Sequence, residues 1–257
     1  MIYSGKTHIG KVRTTNQDSF AIKQVSDDLL IAVVCDGMGG ARGGNIASET
    51  AIEHFLSGLS KCGITSENPR RADAVPAALA QAVFEANEAV YNKSVSNPEY
   101  NGMGTTLVAC IITGATVYIA NIGDSRLYID TAKKLTQISE DHSYVQFLID
   151  VGDITPEEAK QHPYRNRITR AVGIQPETDS DFFTLDLNKY PGGKILLCSD
   201  GLCGQVDSKV IHKILNTSRR KNENDDVYMN RICDKLVDAA LNAGGPDNIT
   251  AVVISAN

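Results

Sequence analysis

Apolar and polar positions follow two rhythms along this chain. Residues 29–35, LLIAVVC, form a short unbroken apolar run bounded by polar residues, which predicts a buried strand. From Asn45 to Leu59 the period lengthens to that of a helix, with Ile46, Ile52, Phe55, Leu56 and Leu59 on one face. A second helix is expected after Asp73, with Pro76 near its start and Leu79, Val83, Ala86 and Val90 sharing a stripe. Four strand patterns then follow with hardly any spacer: TTLVACIIT, ATVYIANI, SRLYID and KLTQIS. Connections this short predict antiparallel pairing. A helical pair is expected across 141–162. Its second member opens TPEE, with Thr155 as N-cap, Pro156 at the first helical position and Glu158 closing a capping box. Strands return at 181–187 and 193–199, helices near 207–217 and 226–242, and NITAVVIS (248–255) closes the series as a strand.

Blocks of consecutive strands with helices segregated from them imply an α+β layered fold, since a parallel α/β sheet would need a helix between each pair of strands. No proline- or glycine-rich linker divides the chain, so residues 1–257 are expected to form a single domain. The piece 143–170 breaks the strand pattern and is the candidate for a mobile flap.

Composition narrows the function. The 257 residues are 42% hydrophobic and 22% charged, as in a globular protein. The formal net charge of −6 makes duplex DNA or an anionic membrane a poor partner. No apolar run approaches the roughly 20 residues that span a bilayer, and MIYSGKTHIGKVR lacks the apolar core of a signal peptide. A cytoplasmic location is expected. The six cysteines form no C-x-x-C pair, and several sit inside apolar runs, so they read as reduced, buried small hydrophobes rather than a disulfide framework or zinc site.

The candidate chemistry lies at strand edges. In IAVVCDGMGGARGG, Asp36 ends an apolar strand and glycines crowd the next eight positions. Asp200 ends another in KILLCSDGL, again with glycine next. Asp124 sits in a turn in IANIGDSRLY, Asp247 precedes the last strand in AGGPDNITAVV, and Asp18 precedes the first in GKVRTTNQDSF. Any one of these aspartates reads best as a turn former. Together they are costly unless solvated, paired or bound to a cation. Oxygen-only ligands favour Mg²⁺ or Mn²⁺. Several shared carboxylates suggest two ions roughly 3.5–4 Å apart, which activate water and clamp a phosphoryl group. Asp36 is the expected bridging ligand. Gly37 would let its carbonyl turn to a metal without a Cβ in the way, and Gly39 and Gly40 would keep the entrance open. Arg13 offers planar two-point recognition of a phosphate, with an ordinary surface arginine as the alternative.

In order along nearly the whole chain, GKVRTTNQDSF, VVCDGMGG, MGTTLVACII, VYIANIGDSRLYI, LTQISEDHS, RNRITRAVG, LLCSDGL and GGPDNITAVVI resemble the metal-dependent PP2C-type protein serine/threonine phosphatases, and more closely their bacterial members. The resemblance implies a central antiparallel β-sandwich between pairs of helices, an α-β-β-α stack. It implies that Asp36 and the Gly37 carbonyl bridge two metals, with Asp200 and Asp247 as the remaining carboxylates on the first. Asp124, with Asp200, corresponds to a third, weaker site. Asp18 corresponds to the residue holding metal-bound water, Arg13 to the phosphate anchor, and 143–170 to a flap that touches protein substrates. Met38 stands where animal relatives carry a histidine thought to protonate the leaving alkoxide, so the general acid is unassigned, with metal-bound water as first candidate. Gln17 replaces a common glutamate. Gly204 stands where some members have another aspartate, which weakens the third site. His142 reads as polar scaffolding.

The expected function is hydrolysis of phosphoserine and phosphothreonine in proteins by metal-activated water, with Mn²⁺ or Mg²⁺ and no covalent enzyme intermediate. The alternatives are a catalytically weak phospho-dependent binding module and a hydrolase of small phosphoesters. Expected partners are phosphorylated proteins and, by resemblance, a cognate serine/threonine kinase; the chain is expected to be a monomer. SGKT at 4–7 is no P-loop, because its first glycine would precede Met1. Gly37-Met-Gly39 is no dinucleotide turn, because Arg42 holds the third glycine position.

Overall fold

The apolar runs become the inner strands of two stacked antiparallel sheets. In the computed structural model, which describes residues 1–65 and 74–255, one sheet has five strands in the order β1–β11–β10–β7–β8. These are β1 (Ile2–His8), β7 (Arg126–Asp130), β8 (Leu135–Gln137), β10 (Lys194–Cys198) and β11 (Ile249–Ser255). The other runs β2 (Asp18–Ser26), β3 (Leu29–Met38), β5 (Leu107–Thr113), β6 (Thr116–Ile122) and β9 (Asp181–Asp186), with the short β4 (Gly104–Thr105) also paired to β3. Helices α1 (Gly40–Lys61) and α2 (Val75–Ser96) cover the second sheet. Helices α5 (Asp200–Cys203), α6 (Ser208–Leu215) and α7 (Asp225–Asn242) lie on the first. Between β8 and β9 come α3 (Tyr144–Asp150) and α4 (Pro156–Ala159), and α4 carries the expected Thr155–Glu158 capping box. Asp73 lies outside the described residues, as does the side-chain environment at Gly40. Among the described residues no helix is long and apolar enough to cross a membrane.

This stacking explains why the inner strands are apolar at nearly every position. Successive side chains point to opposite faces, and here both faces are covered. Leu29, Ile31, Val33 and Cys35 pack against Phe55, Leu59 and Leu79 under α1 and α2. Leu30, Ala32 and Val34 instead meet Leu127, Leu197, Val252 and Ile254 across the sandwich. On the far side Ile249, Ala251 and Val253 meet Ile232 and Leu236 of α7. All six cysteines are free thiols.

Four features differ from the sequence reading. The four consecutive strands do not all pair with one another: β5 pairs β6 and β7 pairs β8, but β6 and β7 lie in different sheets. The short connection through Gly123, Asp124 and Ser125 is a corner between sheets, not a hairpin. Helix α1 begins at Gly40, before Asn45, and its early glycines make room for close neighbours: a Cβ on Gly43 would stand 2.9 Å from that of Met103, and one on Gly44 would stand 2.8 Å from the Gly37 carbonyl oxygen. Strand β1 and the one-turn α5 lack a clear periodic signal in sequence. Asp18 is the first residue of β2, not a residue before it.

Candidate metal centre and catalytic cleft

Strand register brings the distant aspartates to one end of the sandwich. Asp18 faces Asp36 across β2 and β3. The corner bearing Asp124, the end of β10 before Asp200 and the start of β11 after Asp247 lie at that same end. They open onto a cleft of about 460 Å³ lined by Arg13, Asp36, Gly37, Asp124, Asp200 and Asp247, with Met38 and Thr106 among its other walls. Asp18 does not line the cleft; it is buried beneath it.

Backbone contacts hold each acid. The Asp36 N–H donates to Thr106 Oγ1 (2.9 Å), and its carbonyl accepts from Thr106 N–H and Thr105 Oγ1, both at 2.9 Å. The Gly37 N–H donates to the Gln17 carbonyl at 3.1 Å. A Cβ on Gly37 would overlap the Gly44 carbonyl oxygen, and one on Gly201 would overlap that of Asn248. The two Asp-Gly pairs therefore share a cause. Glycine follows the acid because another backbone passes there, and the crowding lies in the protein itself. Gly39, at φ 132°, presses on Met103, where a Cβ would come within 2.7 Å of Cα. At the corner, Gly123 donates its N–H to His142 Nδ1 (3.1 Å) and accepts from the His142 N–H (2.9 Å), so His142 pins the turn bearing Asp124.

Side chains complete the frame. One oxygen of Asp18, Oδ2, accepts from Ser199 Oγ and Thr250 Oγ1, both at 2.7 Å. Asp247 accepts from the Asn248 N–H and from Arg13 Nη2, both at 2.8 Å. Asn248 clamps the loop that carries Arg13: its Oδ1 accepts from Gln17 N–H (2.8 Å), and its Nδ2 donates to the carbonyls of Ile9 (2.8 Å) and Thr15 (3.1 Å).

Electrostatics suit a cation. Burial first, and then the charges of Asp200 and Asp247, lift the Asp18 carboxyl to about 7, although the two hydroxyls oppose the rise. Burial, then Asp200 and Asp141, lift Asp124 to about 8, against the pull of Arg126. Asp36 and Asp200 are raised as well, chiefly by burial. Asp18 Oδ1 and Asp200 Oδ1 are buried without a hydrogen-bond partner, the state expected of oxygens that a cation or an ordered water would satisfy. Among the described residues no three acidic, histidine or cysteine side chains close on one point as a finished ligand sphere. Like charges sharing a cleft repel, and the acids stand around it. The donor set is all oxygen, which fits Mg²⁺ or Mn²⁺. A half-buried ion pair stands behind it: Arg126 donates from Nε to both Asp141 oxygens (2.8 and 2.9 Å) and from Nη2 to Asp141 Oδ2 (2.6 Å).

Arg13, Asp36, Gly37, Gly39, Asp124, Asp200 and Asp247 thus line the cleft, and Asp18 lies directly under it. Sequence reasoning did not single out Thr106, Ser199, Thr250, Asn248 or the Arg126–Asp141 pair, although all lie in or beside the quoted motifs. The nearest signal was polar residues within otherwise apolar strands.

The comparisons agree in one direction. Residues 4–237 match the family model for protein phosphatase 2C. The chain is 35% identical over 249 residues to the serine/threonine phosphatase stp of Listeria monocytogenes serotype 4b, covering 97% of this chain and 93% of that one. It is similar to the crystal structure of the serine/threonine phosphatase Stp1 from Staphylococcus aureus, with a TM-score of 0.89 and 32% identity, covering 100% of this chain and 96% of the other. It is also similar to the catalytic domain of the serine threonine protein phosphatase PstP in complex with two manganese ions, with a TM-score of 0.77 and 33% identity, covering 98% and 96% of the two chains.

Proposed function

The chain belongs to the protein phosphatase 2C family and is a protein serine/threonine phosphatase of that metal-dependent family, and from that premise we propose how its own residues carry the reaction. Asp36, Asp200 and Asp247, with the Gly37 carbonyl, would hold two divalent cations, Mn²⁺ or Mg²⁺. Asp124 with Asp200 offers a third, weaker position. When bound, the cations supply an activated water for in-line attack on phosphorus and positive charge for the phosphoryl oxygens. Arg13, at the rim with 51% of its side chain exposed, presents a guanidinium fork to the phosphate. Asp18 uses its unpartnered Oδ1 to orient a water on the cleft floor, while Ser199 and Thr250 hold the other oxygen. Met38 has no proton to give, so a water protonates the leaving oxygen.

Four aspartates from separate segments sharing one cleft, with Asp200 Oδ1 buried and unpartnered, is the observation that carries this reading. The chain acts as a single domain and as a monomer, with residues 143–170 as a flap beside the cleft, and a serine/threonine kinase supplies its substrates. With Mn²⁺ the purified protein should release phosphate from phosphothreonine peptides, and chelator should stop it. Asp36→Ala or Asp200→Ala should each lower kcat by orders of magnitude; a wild-type rate in either sinks the assignment.

A further inference from the structure

A second concavity, of about 730 Å³, lies between α2 and residues 169–182. It shares with the first a wall one chain thick: Asn166 and Ile168 line the cleft, while Thr169, Arg170 and Ala171 line the groove. The floor of the groove is fixed. The side chain of Asn87, buried in α2, donates to the carbonyls of Gln175 (3.1 Å) and Pro176 (2.9 Å) and accepts from the Gly173 N–H (2.8 Å). Gly173, at φ 84°, lies so close to Val90 that a Cβ would overlap its side chain.

Above this floor three large apolar side chains stay in water, with Phe84 48%, Ile174 43% and Phe182 47% exposed. An apolar cluster in a rigid concavity is the usual form of a binding site. Its rim is acidic. Glu177 and Asp179 are exposed and have no cationic partner among the described residues, whereas Arg170 is already paired with Asp181 at 3.1 Å. Phe182 stands on β9, the outer strand of its sheet, and an edge strand leaves a row of backbone groups free for an extended chain.

We propose that this groove binds the substrate's polypeptide next to its phosphorylated residue, taking a bulky apolar side chain against Phe84, Ile174 and Phe182 and a lysine or arginine against Glu177 and Asp179. The proposal rests on the phosphatase reading above and names the flanking sequence that reading leaves open. Continuity with the cleft selects the occupant. A chain whose phosphate sits near Arg13 and that crosses residues 168–170 enters the groove directly. An extended chain advances about 3.3 Å per residue, so only a few residues separate the two subsites.

The test compares p-nitrophenyl phosphate, which has no polypeptide, with phosphothreonine decapeptides whose flanks are apolar and basic, or apolar and acidic. Wild type should prefer the basic peptide. Phe84→Ser with Phe182→Ser should raise KM for that peptide about tenfold and leave p-nitrophenyl phosphate turnover within about twofold of wild type. Glu177→Lys with Asp179→Lys should invert the preference between basic and acidic flanks. Unchanged peptide kinetics in both variants would overturn the proposal, and so would equal losses on the two substrate types. A wild-type enzyme that turns over both substrates without regard to flanks removes the groove and leaves the phosphatase reading standing. A wild type inert on both removes that reading, and the groove with it.

Discussion

Stripped of divalent ions, this protein should lose stability as pH rises, and the acid cluster sets the size of the effect. In an unfolded chain the aspartates titrate near 4. In the folded chain burial, and then neighbouring acids, hold Asp18 at about 7 and Asp124 at about 8, with Asp36 and Asp200 also raised. Between about pH 4 and pH 8 the folded protein therefore keeps protons that the unfolded chain has released. Stability falls wherever the native state binds more protons, so it declines across this window. A rise from 3.8 to about 7 for Asp18 corresponds to about 4 kcal/mol once the group is fully ionised. The four acids titrate together, so their separate costs do not sum. For a chain of this size about 4 kcal/mol lowers the melting temperature by roughly 10 °C.

Calorimetry in excess chelator at about pH 5 and about pH 8.5 measures the slope. Saturating Mn²⁺ should flatten it by supplying the missing positive charge. Asp124→Asn should raise the metal-free melting temperature at the higher pH and reduce the slope, because a buried amide has no charge to desolvate. A metal-free melting temperature that stays level or climbs from pH 5 to 8.5 would refute the reasoning.

Gly201→Ala should weaken Mn²⁺ binding at least tenfold by calorimetric titration, because its Cβ would force the Asn248 backbone, and Asp247 with it, away from Asp200. Asn248→Ala removes the three bonds its amide makes to the Gln17 N–H and to the Ile9 and Thr15 carbonyls, so it should cost about 2–4 kcal/mol in urea unfolding and raise KM for phosphopeptide more than it lowers kcat. Arg13→Ala should raise KM for phosphopeptide and the inhibition constant of free phosphate by about tenfold or more. It should leave Mn²⁺ affinity unchanged or improved, because Asp247 loses its ion-pair partner.

Most of the scaffold was legible because its inner strands are buried on both faces and so carry few polar interruptions. The exceptions have local causes. Strand β1 lies at a sheet edge, with a single buried residue, the polar Ser4, so IYSGKTH carries little apolar signal. A helix as short as α5 presents no periodicity. The first turn of α1 is spelled in glycine, which helix propensity rejects and backbone packing requires. The corner at Gly123–Asp124–Ser125 reads as a hairpin because a short loop between two strands has the same composition in either case. The partner in space decides, and that partner is His142.

The aspartates were legible as a set, while the groups that position them were not, and the reason lies in charge. Carboxylates in one cleft repel, so the site cannot be held together by its own chemistry. It is held by neutral contacts: β3 against α1 at Gly37 and Gly44, α5 against the approach to β11 at Gly201 and Asn248, and hydroxyls under Asp18. Serine, threonine, asparagine and glycine in such contacts have no signature beyond their smallness or polarity. The two glycine contacts neither titrate nor need a metal, and only the hydroxyls under Asp18 meet a group that does titrate. The frame therefore survives removal of the ions, and pH changes only the cost of keeping the acids charged inside it.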